Sequence, residues 1–191
     1  MSEYYILGPA REDQYCKVAM APQDFPSLNP AKRGRSMSDE WPENAEFRMK
    51  PRHPGLMVPD VVLNPHECLM VTDRMRALLD RHIDTPVEYL PFTLLNHKGR
   101  VADDSMWVVN LLDSVGCADM EKTRGSESPF YPGEIQDLRK LFVIEEKLPT
   151  DRKIFRLGEC PPTILVRDDL RHAIEEADFS AEYFDLGQLI A

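Results

Sequence analysis

Two stretches of this chain read as one unit used twice, and that repeat limits the fold more than any other feature. Residues 69–90 run Leu-Met-Val-Thr-Asp-Arg-Met-Arg-Ala-Leu-Leu-Asp-Arg-His-Ile-Asp-Thr-Pro-Val-Glu-Tyr-Leu, and residues 164–184 run Ile-Leu-Val-Arg-Asp-Asp-Leu-Arg-His-Ala-Ile-Glu-Glu-Ala-Asp-Phe-Ser-Ala-Glu-Tyr-Phe. Val71, Asp73, Arg76 and Glu88-Tyr89 return as Val166, Asp168, Arg171 and Glu182-Tyr183, with a one-residue slip before the second strand. In the first copy an aliphatic run leads to Thr72, a suitable N-cap, and to Asp73, whose charge suits the positive end of a helix dipole. Met75, Leu78, Leu79 and His82 then make one apolar stripe, Pro86 stops the helix, and residues 87–90 alternate as a half-buried strand should. In the second copy Asp168 or Asp169 opens the helix, and Leu170, Ala173, Ile174 and Ala177 form the stripe. Each helix has only about ten residues, too short to be stable alone, so both must pack on a sheet. The fold class expected is α+β: a mixed, mainly antiparallel sheet with short helices, containing two copies of a strand–helix–strand unit.

The rest of the chain fills in around the repeat. Residues 4–7 predict a short strand closed by Gly8-Pro9, and residues 15–20 a second. Nine of the 16 prolines lie in the first 65 residues. Residues 1–57 therefore read as a strand and a Pro-rich arm packed on a body formed by 58–191, the whole making a single domain. Lys32-Arg33-Gly34-Arg35 within the arm reads as an exposed loop rather than a nucleic-acid patch. Residues 96–100 are a turn in which Gly99 supplies the backbone angle, and 106–112 is the strongest central strand. Residues 119–133 read as a long polar loop, and 141–144 with 154–157 as an antiparallel pair.

No chemistry-bearing constellation emerges. Gly-x-Ser-x-Gly is missing its first glycine around Ser114, and no Gly-rich phosphate loop occurs. The five histidines and four cysteines (Cys16, Cys68, Cys117, Cys160) lack metal-ligand spacing, which predicts neither metal nor cofactor and leaves the cysteines as free thiols. Adjacent acids such as Asp103-Asp104 and Asp168-Asp169 point apart on a strand or helix, so no catalytic residue is nominated. No run of 18 apolar residues exists, and the opening segment lacks a signal peptide's basic and apolar regions, so a cytoplasmic location is expected. The net charge of −10 is uneven, with 19 acids against 10 bases in residues 101–191, the opposite of a nucleic-acid binder's basic stripe.

Beyond these patterns, five segments carry a resemblance. They are Val58-Pro59-Asp60; Leu69-Met70-Val71-Thr72-Asp73-Arg74-Met75; Val108-Val109-Asn110-Leu111-Leu112-Asp113-Ser114-Val115-Gly116-Cys117-Ala118-Asp119; Ile154-Phe155-Arg156-Leu157; and Ile164-Leu165-Val166-Arg167-Asp168-Asp169-Leu170-Arg171. Together they make residues 58–185 resemble the eleventh numbered family of bacterial immunity proteins, formerly a domain of unknown function, with the N-terminal third weakly matched. Gly116, where an acid is expected, and Arg167, in place of a small capping residue, depart from the pattern. The resemblance implies a cytoplasmic, non-enzymatic protein that binds and neutralises a toxin encoded beside it. Such toxins are commonly delivered by type VI or contact-dependent secretion.

If that toxin is a nuclease, acidic loops would meet its electropositive active site. Asp103, Asp104, Asp119, Glu121 and Glu127, with Phe130 and Tyr131 as aromatic anchors, are the candidate partner-binding residues. Acids crowding the C-terminal unit are a second group. The partner expected is the toxin, with no nucleic acid and no membrane; oligomeric state is open. Two other readings stay in play: a small hydrolase or transferase with a carboxylate–His site around His97 or His172, and a structural adaptor using the N-terminal arm.

Overall fold

A computed structural model describes residues 3–188 and 190; Met1 and Ser2 of the opening segment lie outside the described residues. In chain order the elements are β1 (Tyr4–Pro9), α1 (Asn29–Lys32), β2 (Glu46–Arg48), β3 (Met70–Thr72), α2 (Asp73–Asp80), β4 (Val87–Leu95), β5 (Val101–Leu111), β6 (Ser114–Val115), β7 (Arg124–Glu127), β8 (Ile135–Lys140), β9 (Ile154–Leu157), β10 (Ile164–Arg167), α3 (Asp168–Glu176) and β11 (Ala181–Asp185). The class is α+β, mixed and mostly antiparallel, as expected. The strands divide, however, between a five-stranded sheet ordered β11-β1-β10-β9-β6, a four-stranded sheet ordered β2-β4-β5-β3, and the separate β7-β8 hairpin.

Both stretches that opened the sequence reading fold as strand, helix, strand, and neither pairs its own two strands. β3 and β4 flank β5, each antiparallel to it. β10 and β11 flank β1 in the same sense. Val71 lies opposite Trp107 and Val166 opposite Tyr5. One turn into each helix an Asp–Arg pair forms, Asp73–Arg76 and Asp168–Arg171, both at 2.9 Å. The Arg76 guanidinium lies 5.0 Å from the Trp107 ring centre, and that of Arg171 lies 4.3 Å from the Tyr5 ring centre.

The inner strands β1, β9 and β10 and the second half of β5 bury both faces. Tyr5 and Leu7 of β1, Val109 and Leu111 of β5, and Ile164 and Val166 of β10 point into one core with Met75, Leu79, Leu170 and Ile174 of the helices. Met106 and Val108, on the opposite face of β5, pack under Phe47, Met37 and Met49 of the arm. Tyr4, Ile6, Phe155 and Leu165 face a third cluster containing Leu141 and Cys117. Each such side chain contributes roughly 1.5–3 kcal/mol of burial free energy, so helices this short are held by packing.

Several expectations need correction. Residues 15–20 form no strand; Tyr15, Lys17 and Val18 each bridge a different segment, so no ladder propagates. Residues 141–144 form no strand with β9, which lies between antiparallel β10 and parallel β6. The polar stretch 119–133 contains β7, paired antiparallel with β8. His82 lies beyond the end of α2, and Ala177 is exposed at the end of α3. Thr72 stands at the N-cap, but its hydroxyl donates to Asp60 and leaves the cap unmade.

The arm's basic cluster is a seam rather than a free loop. Lys32 pairs with Glu67, and Arg33 with Glu134. Gly34 has φ +70, and a Cβ there would stand 2.7 Å from the Leu111 carbonyl. Beneath it lies Arg156, 4% exposed, donating to the carbonyls of Leu111, Lys32, Pro161 and Ala31 and to Asn110 Oδ1. Burial draws its pKa down to about 10. The Glu88 carboxylate accepts from Ser36 Oγ, the Met37 and Ser38 amides and Asn110 Nδ2, holding the next stretch of arm on β4. These contacts follow from acceptors far away in sequence, which is why the composition of 32–35 read as loop.

Candidate functional site

The β7–β8 hairpin forms despite weak strand propensity, because Gly125 lets the two backbones close. A Cβ there would stand 2.5 Å from the Asp137 carbonyl. At the tip, the Ser128 hydroxyl accepts from the Phe130 and Tyr131 amides, and Gly133 takes φ +81. Arg33 stacks over the Tyr131 ring at 3.6 Å and pairs with Glu134, tying the tip to the arm. Ile135 is buried, and its amide donates to the Glu159 carbonyl at 2.7 Å. With its neighbours held from both sides, Phe130 stands 78% exposed.

At the base of the hairpin the chain turns through residues 119–123. The Asp119 carboxylate accepts from the Glu121 and Lys122 amides and pairs with the Lys122 ammonium at 2.9 Å. That ammonium, then the turn amides, hold Asp119 below the ordinary carboxylate range. Thr123 Oγ1 bonds both backbone groups of Phe142. Met120 is 46% exposed beside it, and the exposed Glu121 carboxylate has no hydrogen bond or ion pair among the described residues.

The seven candidate partner-binding residues therefore divide. Glu127, Phe130 and Tyr131 share the hairpin, and Asp119 and Glu121 sit at its base. Asp103 and Asp104 stand apart on β5, next to the turn at residues 96–100, where Gly99 has φ +71. From Asp104 to the strand end at Leu111 is roughly 23 Å at ~3.3 Å per residue. Asp103 is also engaged locally, accepting from the amide and hydroxyl of Ser105. Several of the C-terminal acids are answered by bases: Arg167 of the same unit and Lys153 pair with Asp169, and Arg11 with Glu182.

Sequence reasoning missed a cleft of about 570 Å³ close to the hairpin base. Tyr4, Tyr5, Phe142, Val143, Leu148 and Leu186 form its walls, and Glu3, Glu145 and Asp185 stand at its rim. The Tyr4 hydroxyl, 2.6 Å from the carbonyls of both Pro149 and Arg152, closes one side. Gly187, at φ +76, bonds the Leu141 carbonyl and passes so near Phe142 that a Cβ would stand 3.3 Å from the ring. Burial, then the Glu3 carboxylate, hold the Tyr5 hydroxyl above its ordinary value. The lining comes from three distant stretches, so no local motif could reveal it.

The two histidines considered for a carboxylate–His site lie at the surface. His97 is exposed in the β4–β5 turn, and His172 lies on the outer face of α3, 3.3 Å from Asp168. No group of three or more His, Cys, Asp or Glu among the described residues is placed to hold a metal ion. The four cysteines are free and buried. No helix among the described residues is long and apolar enough to cross a membrane.

Compared with protein families, residues 4–186 match the model of the immunity protein family (Imm11). The chain belongs to this family. No curated protein matches it. The Imm11 match begins in β1 and takes in the arm, which the resemblance read from sequence covered only weakly. Membership points to a toxin-neutralising role through binding of a cognate toxin, in a family that is generally non-enzymatic. The segments that carried the Imm11 resemblance are structural. Asp60, buried, accepts two bonds from Arg74, one from Thr72 and two from Ser180. Asp73 receives Trp107 Nε1, and Asn110 joins Arg35, Glu88 and Arg156. Arg167, the departure at the cap of α3, holds Asp169 with two bonds. A side chain at Gly116 would begin 3.2 Å from a Glu159 carboxylate oxygen, so an acid there meets like charge.

Proposed function

We propose that this protein neutralises its toxin by direct, non-catalytic binding through the face that carries the β7–β8 hairpin. The observation that carries the reading is Phe130: a large aromatic side chain left in solvent at the tip of a hairpin whose other contacts are made. An exposed ring on a pre-organised support loses little conformational freedom when it is covered, which is what an interface anchor requires. Glu127 beside it and Glu121 at the base add negative charge, which suits an electropositive nuclease active site and speeds encounter. Asp119 shapes the turn. Asp103 and Asp104, on another part of the surface, contribute to the general negative field. The toxin would be a nuclease delivered by a type VI or contact-dependent system, met in the cytoplasm of the protected cell.

Co-expression with the toxin encoded beside it tests this directly. Growth should be rescued, a complex should be isolated, and nucleic-acid cleavage by the toxin should stop in its presence. Continued killing with no complex formed would end the reading.

A further inference from the structure

The cleft between β1, the end of β11 and residues 142–150 combines an apolar, aromatic floor with an acidic rim. Glu3, Glu145 and Asp185 border it, and no Lys, Arg or His lines it. Among the described residues none of these carboxylates forms an ion pair. A rim of unpaired acids over aromatic rings is unfavourable for an apolar ligand and favourable for a cation that stacks. The Phe142 ring already attracts one: Lys140, outside the cleft lining, holds its ammonium 5.0 Å from the ring centre. The cleft is also continuous with the hairpin base, because Asp119 and Thr123 bond the Phe142 backbone and Met120 is exposed beside them.

We propose that this cleft is a second anchor point for the toxin and receives an arginine side chain from a basic segment of it. The assignment rests on the toxin-neutralising reading and adds to it a site and a ligand chemistry. A guanidinium is planar and weakly hydrated, so it can lie on Phe142 while bonding a carboxylate with two parallel N–H groups. A volume of 570 Å³ accommodates such a side chain with part of its backbone.

The test uses the full chain and a double variant, Glu145→Lys with Asp185→Lys, both at exposed positions, with thermal melting to verify the fold. A tetra-arginine peptide, followed by amide chemical shifts, should perturb Phe142, Val143 and Gly187 in the wild-type chain, and the double variant should show no such response. Affinity of the co-encoded toxin should fall roughly tenfold or more in the double variant, as expected for reversed charge at a desolvated contact. A peptide response that is absent or lies elsewhere, or a toxin affinity unchanged by the double reversal, overturns the cleft as an arginine site. A wild-type chain that takes the peptide in the cleft but neither binds nor neutralises the toxin overturns the neutralising reading instead.

Discussion

Gly34 and Phe130 show how differently single residues are constrained here. Gly34 is fixed by two independent facts, a left-handed backbone and a Cβ position only 2.7 Å from the Leu111 carbonyl oxygen. Gly34→Ala should therefore lower stability by about 2 kcal/mol or more, combining the left-handed penalty with a displaced backbone, measured as a urea-unfolding midpoint. The Phe130 side chain, by contrast, stands in solvent, and only its amide is held, by the Ser128 hydroxyl. Phe130→Ala should change stability by less than ~0.5 kcal/mol, as surface substitutions do. It should weaken toxin binding by ~2 kcal/mol, roughly thirtyfold, if the ring is an interface anchor. Titration of both proteins against the toxin by calorimetry separates these outcomes. Unchanged affinity would remove Phe130 from the interface.

At the scale of elements, the clamps between segments decide how the chain holds together. Asp60 joins the segment before β3, the start of α2 and the turn before β11. Burial pushes its pKa up, but the hydrogen bonds from Arg74, Thr72 and Ser180 outweigh it and leave the value lowered. A carboxylate whose folded pKa lies below its unfolded value contributes fully above the unfolded value, about pH 4, and loses that contribution as pH falls through the folded value. Wild-type stability should fall as the pH drops below about 4. Asp60→Asn should be about 2 kcal/mol less stable at pH 7 and should show a flatter decline between pH ~4 and ~2. Chemical unfolding followed by tryptophan fluorescence at several pH values measures both slopes. In the arm, Glu88→Ala removes the acceptor for residues 36–38, so protease cleavage there should speed up while β1, β10 and β11 stay protected.

At the scale of the whole molecule, net charge sets how a partner is met. With a charge of −10, association with a basic toxin should slow as ionic strength rises, since the Debye length falls from about 30 Å at 0.01 M to about 8 Å at 0.15 M. Stopped-flow association rates across that range measure the effect, and a flat profile would show that charge does not steer encounter. Dissociation should respond much less if the proposed contacts at the hairpin tip and in the cleft, which act at short range, hold the complex.

The sequence by itself determined the strand–helix–strand stretches, the α+β class, the central strand at 106–112 and the family. These signals are local: aliphatic runs, helical stripes and first-turn acids are read within ten or so residues. Tertiary structure alone decided the rest. Lys32-Arg33-Gly34-Arg35 is a loop by composition and a seam in fact, because Glu67, Glu134, Tyr131 and the Arg156 guanidinium come to it from elsewhere in the chain. Residues 124–127 have little strand preference and become β7 only because β8 is brought alongside and Gly125 permits the approach. Of the candidate binding residues, the hairpin group was legible as exposed aromatics near acids. The placement of Asp103 and Asp104 was not: both lie toward the start of the 11-residue β5, beside the β4–β5 turn, which spacing along the sequence does not show. The acidic cleft was invisible because its walls come from residues 3–5, 142–150 and 185–187, brought together by the pairing of β1 with β11, the Tyr4 hydroxyl on Pro149 and the Gly187 amide on Leu141.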